Sequence, residues 1–374
     1  MFRLFGVSAL VFLAPMFAMG QSGSAQPVFS VPGTHCQTPK WSPDGQEVAI
    51  EMFSPKKDSR EIVIIKLNDR YHSVSETMVS AGRSKSSALL GGGKGLVVEL
   101  AWAPDRSQLS KPYIFSSLGP RKNFDLFADG AWLTTNLGND GQPAWSKNGR
   151  YIAYVSQQSE SGDIYLLDLQ GDIEKPIRAT HYSNSTEYRP QWSYDGSMLL
   201  FTRSTESGRG QDVGIIKDVT KPRESSQMIV QWSSDEIRPS WSPDGQRVSF
   251  YSNKSQTNKK RFDLWVANAD GTGAKKLVSD VFVADVNGAV WMPDGKNILF
   301  VKRDFKRDNP VSWISVDGKA GGRIMTNTQL NSDLDLHVSG GRVRLVFTAH
   351  GLTGSEKKSW RQIFVQEIKA SDLK

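Results

Sequence analysis

A five-residue turn, Trp-Ser-Pro-Asp-Gly, recurs along this chain and limits its possible folds more than any other feature. Trp41-Ser42-Pro43-Asp44-Gly45 and Trp241-Ser242-Pro243-Asp244-Gly245 carry it in full. Trp102-Ala103-Pro104-Asp105, Trp145-Ser146-Lys147-Asn148-Gly149, Trp192-Ser193-Tyr194-Asp195-Gly196 and Trp291-Met292-Pro293-Asp294-Gly295 vary it. Successive tryptophans stand 61, 43, 47, 49 and 50 residues apart. A repeat of about 40–50 residues is the period of a four-stranded propeller blade.

The unit around Trp241 reads as one such blade. Arg238 to Trp241 is a short strand and Ser242 to Gly245 the turn. Proline presets φ at about −65° in the turn's second position, aspartate bonds the backbone ahead of it, and glycine accepts the positive φ that closes the hairpin. Arg247 to Ser252, Phe262 to Val266 and Ala274 to Val278 supply three more strands, with Asp270-Gly271 as a further turn. Four strands joined by three connections make an antiparallel blade. The tryptophan ends the innermost strand, where a large flat side chain can wedge between neighbouring blades.

A degenerate seventh unit follows. Asp333 to Val338 replaces the tryptophan strand, Ser339-Gly340-Gly341 the turn, Val343 to Thr348 is the second strand and Trp360 to Gln366 the third. Its missing fourth strand can come from Pro27 to Val31, ahead of the first repeat. Pairing the two chain ends would close the ring and remove two long sheet edges. The expected fold is therefore all-β, a propeller of four-stranded antiparallel blades with seven preferred. Six is the alternative, if Ser73 to Leu96 or the last unit is irregular.

Composition agrees with a folded, turn-rich chain: 38 % apolar, 23 % charged, 33 Gly and 11 Trp in 374 residues. Arg3 followed by the apolar run from Leu4 to Phe17 and by Ala18-Met19-Gly20 reads as a secretory signal cut after about Gly20. The divisions expected are a signal over 1–20, a flexible segment over 21–26, a propeller over 27–368 and a tail over 369–374. Cys36 is the only cysteine, so no internal disulfide is possible. Export without disulfides suits a bacterial periplasm, and nothing after the signal is apolar enough for stable membrane insertion.

The pattern Pro-x-Trp-Ser-Pro-Asp-Gly, an apolar strand, and then a third strand of the Asp163-Ile164-Tyr165 kind resembles the repeat of the TolB propeller family. The resemblance covers nearly all of the chain after the signal. Similar repeats occur in oligogalacturonide lyases and in the propellers of prolyl oligopeptidase-like peptidases. The resemblance implies a periplasmic protein that docks other proteins. The first repeat begins at Gln37, which leaves no room after the signal for the amino-terminal domain of TolB.

A blade's first and third turns share one face of the ring, and its middle loop and the connection to the next blade share the other. Varied loops on that second face are where binding is expected. They are rich in positive charge, with Lys259, Lys260 and Arg261 in the fifth unit, Lys306 and Arg307 in the sixth, and Lys357 and Lys358 in the seventh. The formal net charge is +7. Such an arc is either a solvated rim or a docking surface for an acidic envelope protein or anionic polymer.

Nearer the channel, the connections end in Asn139-Asp140, Glu187 and Arg189, Glu236 and Arg238, Asp285 and Asn287, and Asp333 and Asp335. Residues two apart on a strand share a face, so these pairs can bond across blades or line a polar funnel for a peptide, sugar or cation. The five histidines are scattered without metal-ligand spacing, and only His35 and His337 can meet, where the first and seventh units adjoin. No Gly-x-Ser-x-Gly elbow or hydrolase domain is present, and Lys94 in Gly91 to Gly95 lacks the Ser or Thr of a phosphate loop. No cofactor or nucleic-acid partner is expected, although a channel-bound cation fits the acidic residues. The expected function is that of a monomeric, non-enzymatic binding scaffold. The alternative is a carbohydrate-active or glycan-binding propeller.

Overall fold

Each Ser-Pro-Asp-Gly turn closes by the same set of bonds. In the fifth unit Ser242 Oγ donates to Asp244 Oδ1 (2.5 Å) and accepts from Arg247 N (2.9 Å), while Gln246 N donates to Asp244 (3.0 Å). The Ser42, Ser146 and Ser193 turns repeat this pattern. Gly245 takes φ +68°, the conformation for which glycine is needed. Ser242→Ala removes both side-chain bonds and is expected to cost about 1 kcal/mol, read as a lowered urea midpoint.

In this computed structural model the described residues are 24–79, 97–104, 112–119, 121–159, 161–205, 208, 210–284, 287–304, 308–351 and 360–373. The expected signal over 1–20 and residues 80–96 lie outside them. Strand β1 (Gln26–Phe29) precedes the first repeat. Blade one is β2 (His35–Trp41), β3 (Glu47–Ser54), β4 (Ser59–Leu67) and β5 (Ser73–Val79). Blade two is β6 (Val97–Trp102), β7 (Tyr113–Leu118), β8 (Phe124–Ala128) and β9 (Ala131–Trp132). Blade three is β10 (Asp140–Trp145), β11 (Tyr151–Ser159), β12 (Ser161–Asp168) and β13 (Ile177–Arg178). Blade four is β14 (Ser185–Trp192), β15 (Leu199–Thr205), β16 (Gln211–Ile216) and β17 (Ser226–Val230). Blade five is β18 (Glu236–Trp241), β19 (Arg247–Ser252), β20 (Phe262–Asn268) and β21 (Lys275–Val281). Blade six is β22 (Val290–Trp291), β23 (Asn297–Val301), β24 (Val311–Ser315) and β25 (Gly321–Arg323).

Blade seven completes the ring. It consists of β26 (Thr328–Ser339), β27 (Arg342–Gly351) and β28 (Gln362–Ile368), with β1 as its fourth strand. β1 pairs antiparallel with β28 through Gln26 with Val365, Pro27 with Phe364 and Phe29 with Ile363. Seven four-stranded blades closed by the two chain ends are thus the observed fold. Ser73 to Val79 is a regular outer strand of blade one.

The buried apolar residues lie between blades. Phe201, Leu199 and Ile216 of blade four pack with Ala153 and Ile164 of blade three, and Trp241 and Val248 of blade five pack with Leu200 and Val213 of blade four. A blade buries its faces only against its neighbours, so the ring, not the blade, is the stable unit. Four of the six repeated tryptophans serve that ring through their indole N–H. Trp102 donates to Lys40 O (3.1 Å), Trp192 to Ala144 O (2.9 Å), Trp241 to Gln191 O (3.0 Å) and Trp291 to Ser240 O (3.2 Å). Each acceptor directly precedes the tryptophan of the blade before. Trp145 instead bonds its own turn at Gly149 O (3.4 Å).

A second periodic feature has no counterpart in the turn motif. Three residues before each of the first five tryptophans, Thr38, Glu99, Gln142, Arg189 and Arg238 take φ of +50° to +58°. Asp333, at φ +49°, holds the same place in blade seven. The pairing register of every one of these inner strands slips at that residue. Each is a β-bulge, which interrupts the two-residue alternation of the strand.

Candidate functional site

The bulges decide where the polar residues of the inner strands go. They carry a chain of links from blade to blade: Glu99 N donates to Glu51 Oε1 (3.0 Å), Gln142 N to Glu99 Oε2 (2.6 Å) and Arg189 N to Gln142 Oε1 (2.7 Å). In the last two links, the side chain at one bulge binds the backbone of the next. Because Arg189 and Arg238 occupy the bulge, Glu187 and Glu236 do not share a face with them in the simple sense that a spacing of two predicts. The paired-face expectation is corrected on this point.

Asp140, Glu187 and Glu236 are fully buried, so they sit in the seams between blades and not in an open funnel. Ser185 Oγ bonds Glu187 (2.6 Å), Ser234 and Ser252 bond Glu236 (2.5 and 2.8 Å), and Asn136 Nδ2 bonds Asp140 (2.6 Å). Each faces a buried aspartate that opens the third strand of the preceding blade, giving Asp125 with Asp140, Asp163 with Glu187, and Asp212 with Glu236. Burial, and then the neighbouring carboxylate, push Asp125 up to about 6. Burial raises Glu187 to about 7, with Asp163 adding to the shift. Desolvation disfavours the charged form, and a like charge does so further. Arg178 and Arg203 compensate Asp163 and Asp212 at 2.8 and 2.7 Å.

The remaining residues expected at the channel are dispersed. Asn139 joins blades two and three through Phe124 N (3.0 Å) and Gln157 (2.8 Å), and Asn287 Nδ2 donates to Leu334 O (3.1 Å). Asp333 accepts from Ser332 Oγ (3.0 Å). Asp335 accepts Trp41 N–H (2.8 Å) in the closing seam, and burial raises it to about 6 against the pull of Lys40 and Lys147. Asp285 lies outside the described residues.

His35 and His337 do not meet. His35 packs on Trp360 at the start of β2, with ring centroids 5.1 Å apart. His337 lies beyond the other end of that strand, where Nε2 donates to Pro43 O (2.9 Å) and Nδ1 accepts from Arg344 (2.8 Å). Those two bonds fix a neutral tautomer, in keeping with a pKa that burial lowers. Arg344 also reaches Gly45 O (3.0 Å) and lies over Trp41, so this pair ties blade seven to blade one where no tryptophan precedes.

The loop face does hold a cleft. About 670 Å³ in volume, it opens at the seam of blades four and five. Its walls come from three separate segments: Arg203, Thr205, Gly208, Gly210 and Asp212 on or between β15 and β16, Gln231 to Asp235 between blades, and Asn253 with Lys259 between β19 and β20. The walls are cross-braced. Gln231 Nε2 donates to Asp212 (3.4 Å), Asn253 Nδ2 to Asp235 (2.8 Å), and Lys259 Nζ to Asn253 O (3.3 Å). Of the basic arc, Lys259 lines the cleft, Lys260 is exposed and Arg261 pairs with Asp280 at 3.4 Å. Lys306, Arg307, Lys357 and Lys358 lie outside the described residues. Trp232, in the cleft wall, carries no repeat signature and was invisible to the motif.

Residues 133–349 match the family model of the TolB beta propeller domain. This chain belongs to the TolB beta-propeller family. The TolB-family chain is 22 % identical over 215 residues to the uncharacterized peptidase YuxL of Bacillus subtilis, covering 46 % of this chain and 32 % of that protein. It is 27 % identical over 164 residues to the uncharacterized protein Atu1656 of Agrobacterium fabrum, covering 42 % and 53 %. The chain therefore spans about a third to a half of the length of these relatives. A solved oligogalacturonate lyase in complex with manganese superposes with a TM-score of 0.58 at 11 % identity, over 94 % of this chain and all of that one. That likeness concerns the fold. Family membership alone does not choose between binding and catalysis, since the similar proteins include ones named as peptidase and lyase. Among the described residues no three His, Cys, Asp or Glu side chains gather as a metal-binding set. No helix among the described residues is long and apolar enough to cross a membrane.

Proposed function

We propose that this TolB-family propeller is a non-enzymatic scaffold of the bacterial cell envelope, holding a segment of another protein on its loop face. The observation that carries the reading is the cleft between blades four and five. Its volume falls within the range of about 300–1,000 Å³ typical of ligand sites, and its walls mix an aromatic face with amide, carboxylate and ammonium groups. Ser234, the buried hydroxyl there, bonds Glu236 and has no histidine partner in that bond, so it is not arranged as a nucleophile. The signal-like residues 1–20 favour the periplasm, and the exposed Lys260, outside the cleft lining, favours contact with an acidic stretch of the partner or an anionic polymer.

A photo-crosslinking residue placed at Gln231 or Ser233 in the native envelope is expected to give one discrete adduct. The same residue at Gln246, on the turn face, is expected to give none. Equal labelling from both faces would sink the assignment. Reversal of Lys260 to glutamate should weaken partner capture up to about fivefold at low salt and less at high salt, because an exposed charge pair is worth at most about 1 kcal/mol and is screened beyond about 10 Å at 0.1 M.

A further inference from the structure

Two tryptophans outside the repeat meet beside the cleft. Trp232, in its wall, and Trp265, in β20, stand 5.0 Å apart at 66°, with Phe250 5.7 Å from Trp232. Glu236 Oε2 accepts the backbone N–H of Trp232 (3.2 Å) and holds that segment in place. Lys254, exposed on the loop between β19 and β20, lays its Nζ 3.6 Å from the Trp232 ring centre and 6.0 Å from that of Trp265. A π-face attracts a cation through its quadrupole. This surface therefore already selects an ammonium group, supplied by the chain itself.

We propose that the Trp232 ring, in the cleft wall, takes a ligand segment bearing an ammonium group, primary or quaternary, which replaces Lys254 on that ring. The inference deepens the scaffold reading and rests on it. Three observations favour a cationic group over an anionic one. Asp212 and Asp235 line the same cleft and keep oxygen lone pairs beyond those used by Arg203, Gln231 and Asn253. Arg203 is engaged by Asp212 and lies over Tyr182 at 5.1 Å, and Lys259 Nζ is directed to Asn253 O. The cleft's own cations are thus committed, while the aromatic face is held by a group on an exposed, flexible stem. An exposed contact of that kind is worth only about two- to fivefold in an equilibrium, so a ligand can displace it.

The test uses choline as probe, with its uncharged isostere in which a tert-butyl group replaces trimethylammonium. Indole N–H signals are followed by nuclear magnetic resonance and assigned with Trp232→Phe and Trp265→Phe. Choline is expected to shift the Trp232 signal saturably in the wild type and in Lys254→Gln, with a Kd two- to fivefold lower in the variant. Lys254→Arg, which keeps a cation on the ring, is expected to retain the wild-type Kd. An equal response to the isostere, the same Kd in wild type and Lys254→Gln, or no shift at Trp232 would each overturn the proposal. If crosslinking at Ser233 persists in that event, the ammonium assignment fails alone. If crosslinking is lost as well, the scaffold reading fails with it.

Discussion

Trp241→Ala is expected to lower the urea midpoint by the equivalent of about 3–5 kcal/mol, with the slope of the transition unchanged. The side chain is only 9 % exposed and packs with Leu200, Val213 and Val248 across the seam of blades four and five. Its loss leaves a cavity between two blades that cannot close without moving their inner strands. It also strips Gln191 O of its 3.0 Å indole donor. Trp241→Phe keeps most of the volume and loses the bond, so it should cost roughly 1–2 kcal/mol. An unchanged midpoint in the alanine variant would remove the packing role assigned to the repeated tryptophan.

The second large effect is pH dependence from Glu187. Its folded pKa is raised from an ordinary 4.5 to about 7 by burial and then by Asp163. The folded state thus binds a proton that the unfolded state has released, and the resulting stability is fully present below pH 4.5 and lost as pH rises through 7. One pKa unit is about 1.4 kcal/mol, so the loss is on the order of 3 kcal/mol. His337 and His350, whose pKa values burial lowers, act in the opposite sense. Unfolded imidazoles bind protons that the folded ones refuse. Glu187→Gln separates the two effects, since an amide mimics the protonated acid at every pH. Relative to wild type, this variant should gain about 3 kcal/mol in urea denaturation between pH 5 and pH 8. A constant difference across that range would show that Glu187 is ionised in the fold throughout.

The scaffold was legible in the sequence because turn chemistry is local. Ser42 to Gly45 and its copies close their hairpins through neighbours no more than five residues away, and the pattern survives where Lys147 or Tyr194 replaces proline. Blade seven was readable without a tryptophan because Ser339-Gly340-Gly341 still marks its turn, with φ of +55° and +74° at the two glycines. The inner-strand bulges were not readable. Nothing in Glu99, Gln142 or Arg189 advertises a left-handed backbone, which costs a non-glycine residue about 1 kcal/mol or more and persists only because surrounding contacts impose it. Hence Glu187 and Glu236 looked like channel residues and lie in seams. The cleft escaped for another reason: Arg203, Trp232 and Lys259 come from three segments with no common motif, and only the ring brings them together.

The pairing of β1 with β28 sets how this ring responds to mechanical load. The strands run antiparallel, with Gln26 opposite Val365 and Phe29 opposite Ile363, so both flanking segments leave blade seven from the same side. Tension applied between them opens the pairs one after another, as a zip parts, and never loads them together in shear. The strand pairing of the closure rests on a few residues of one short edge strand, whereas Asp335, His337 and Arg344 hold the seam to blade one separately. Pulling on the two ends should therefore free β1 at low force, leaving the contacts of Asp335, His337 and Arg344 to hold blade seven against blade one.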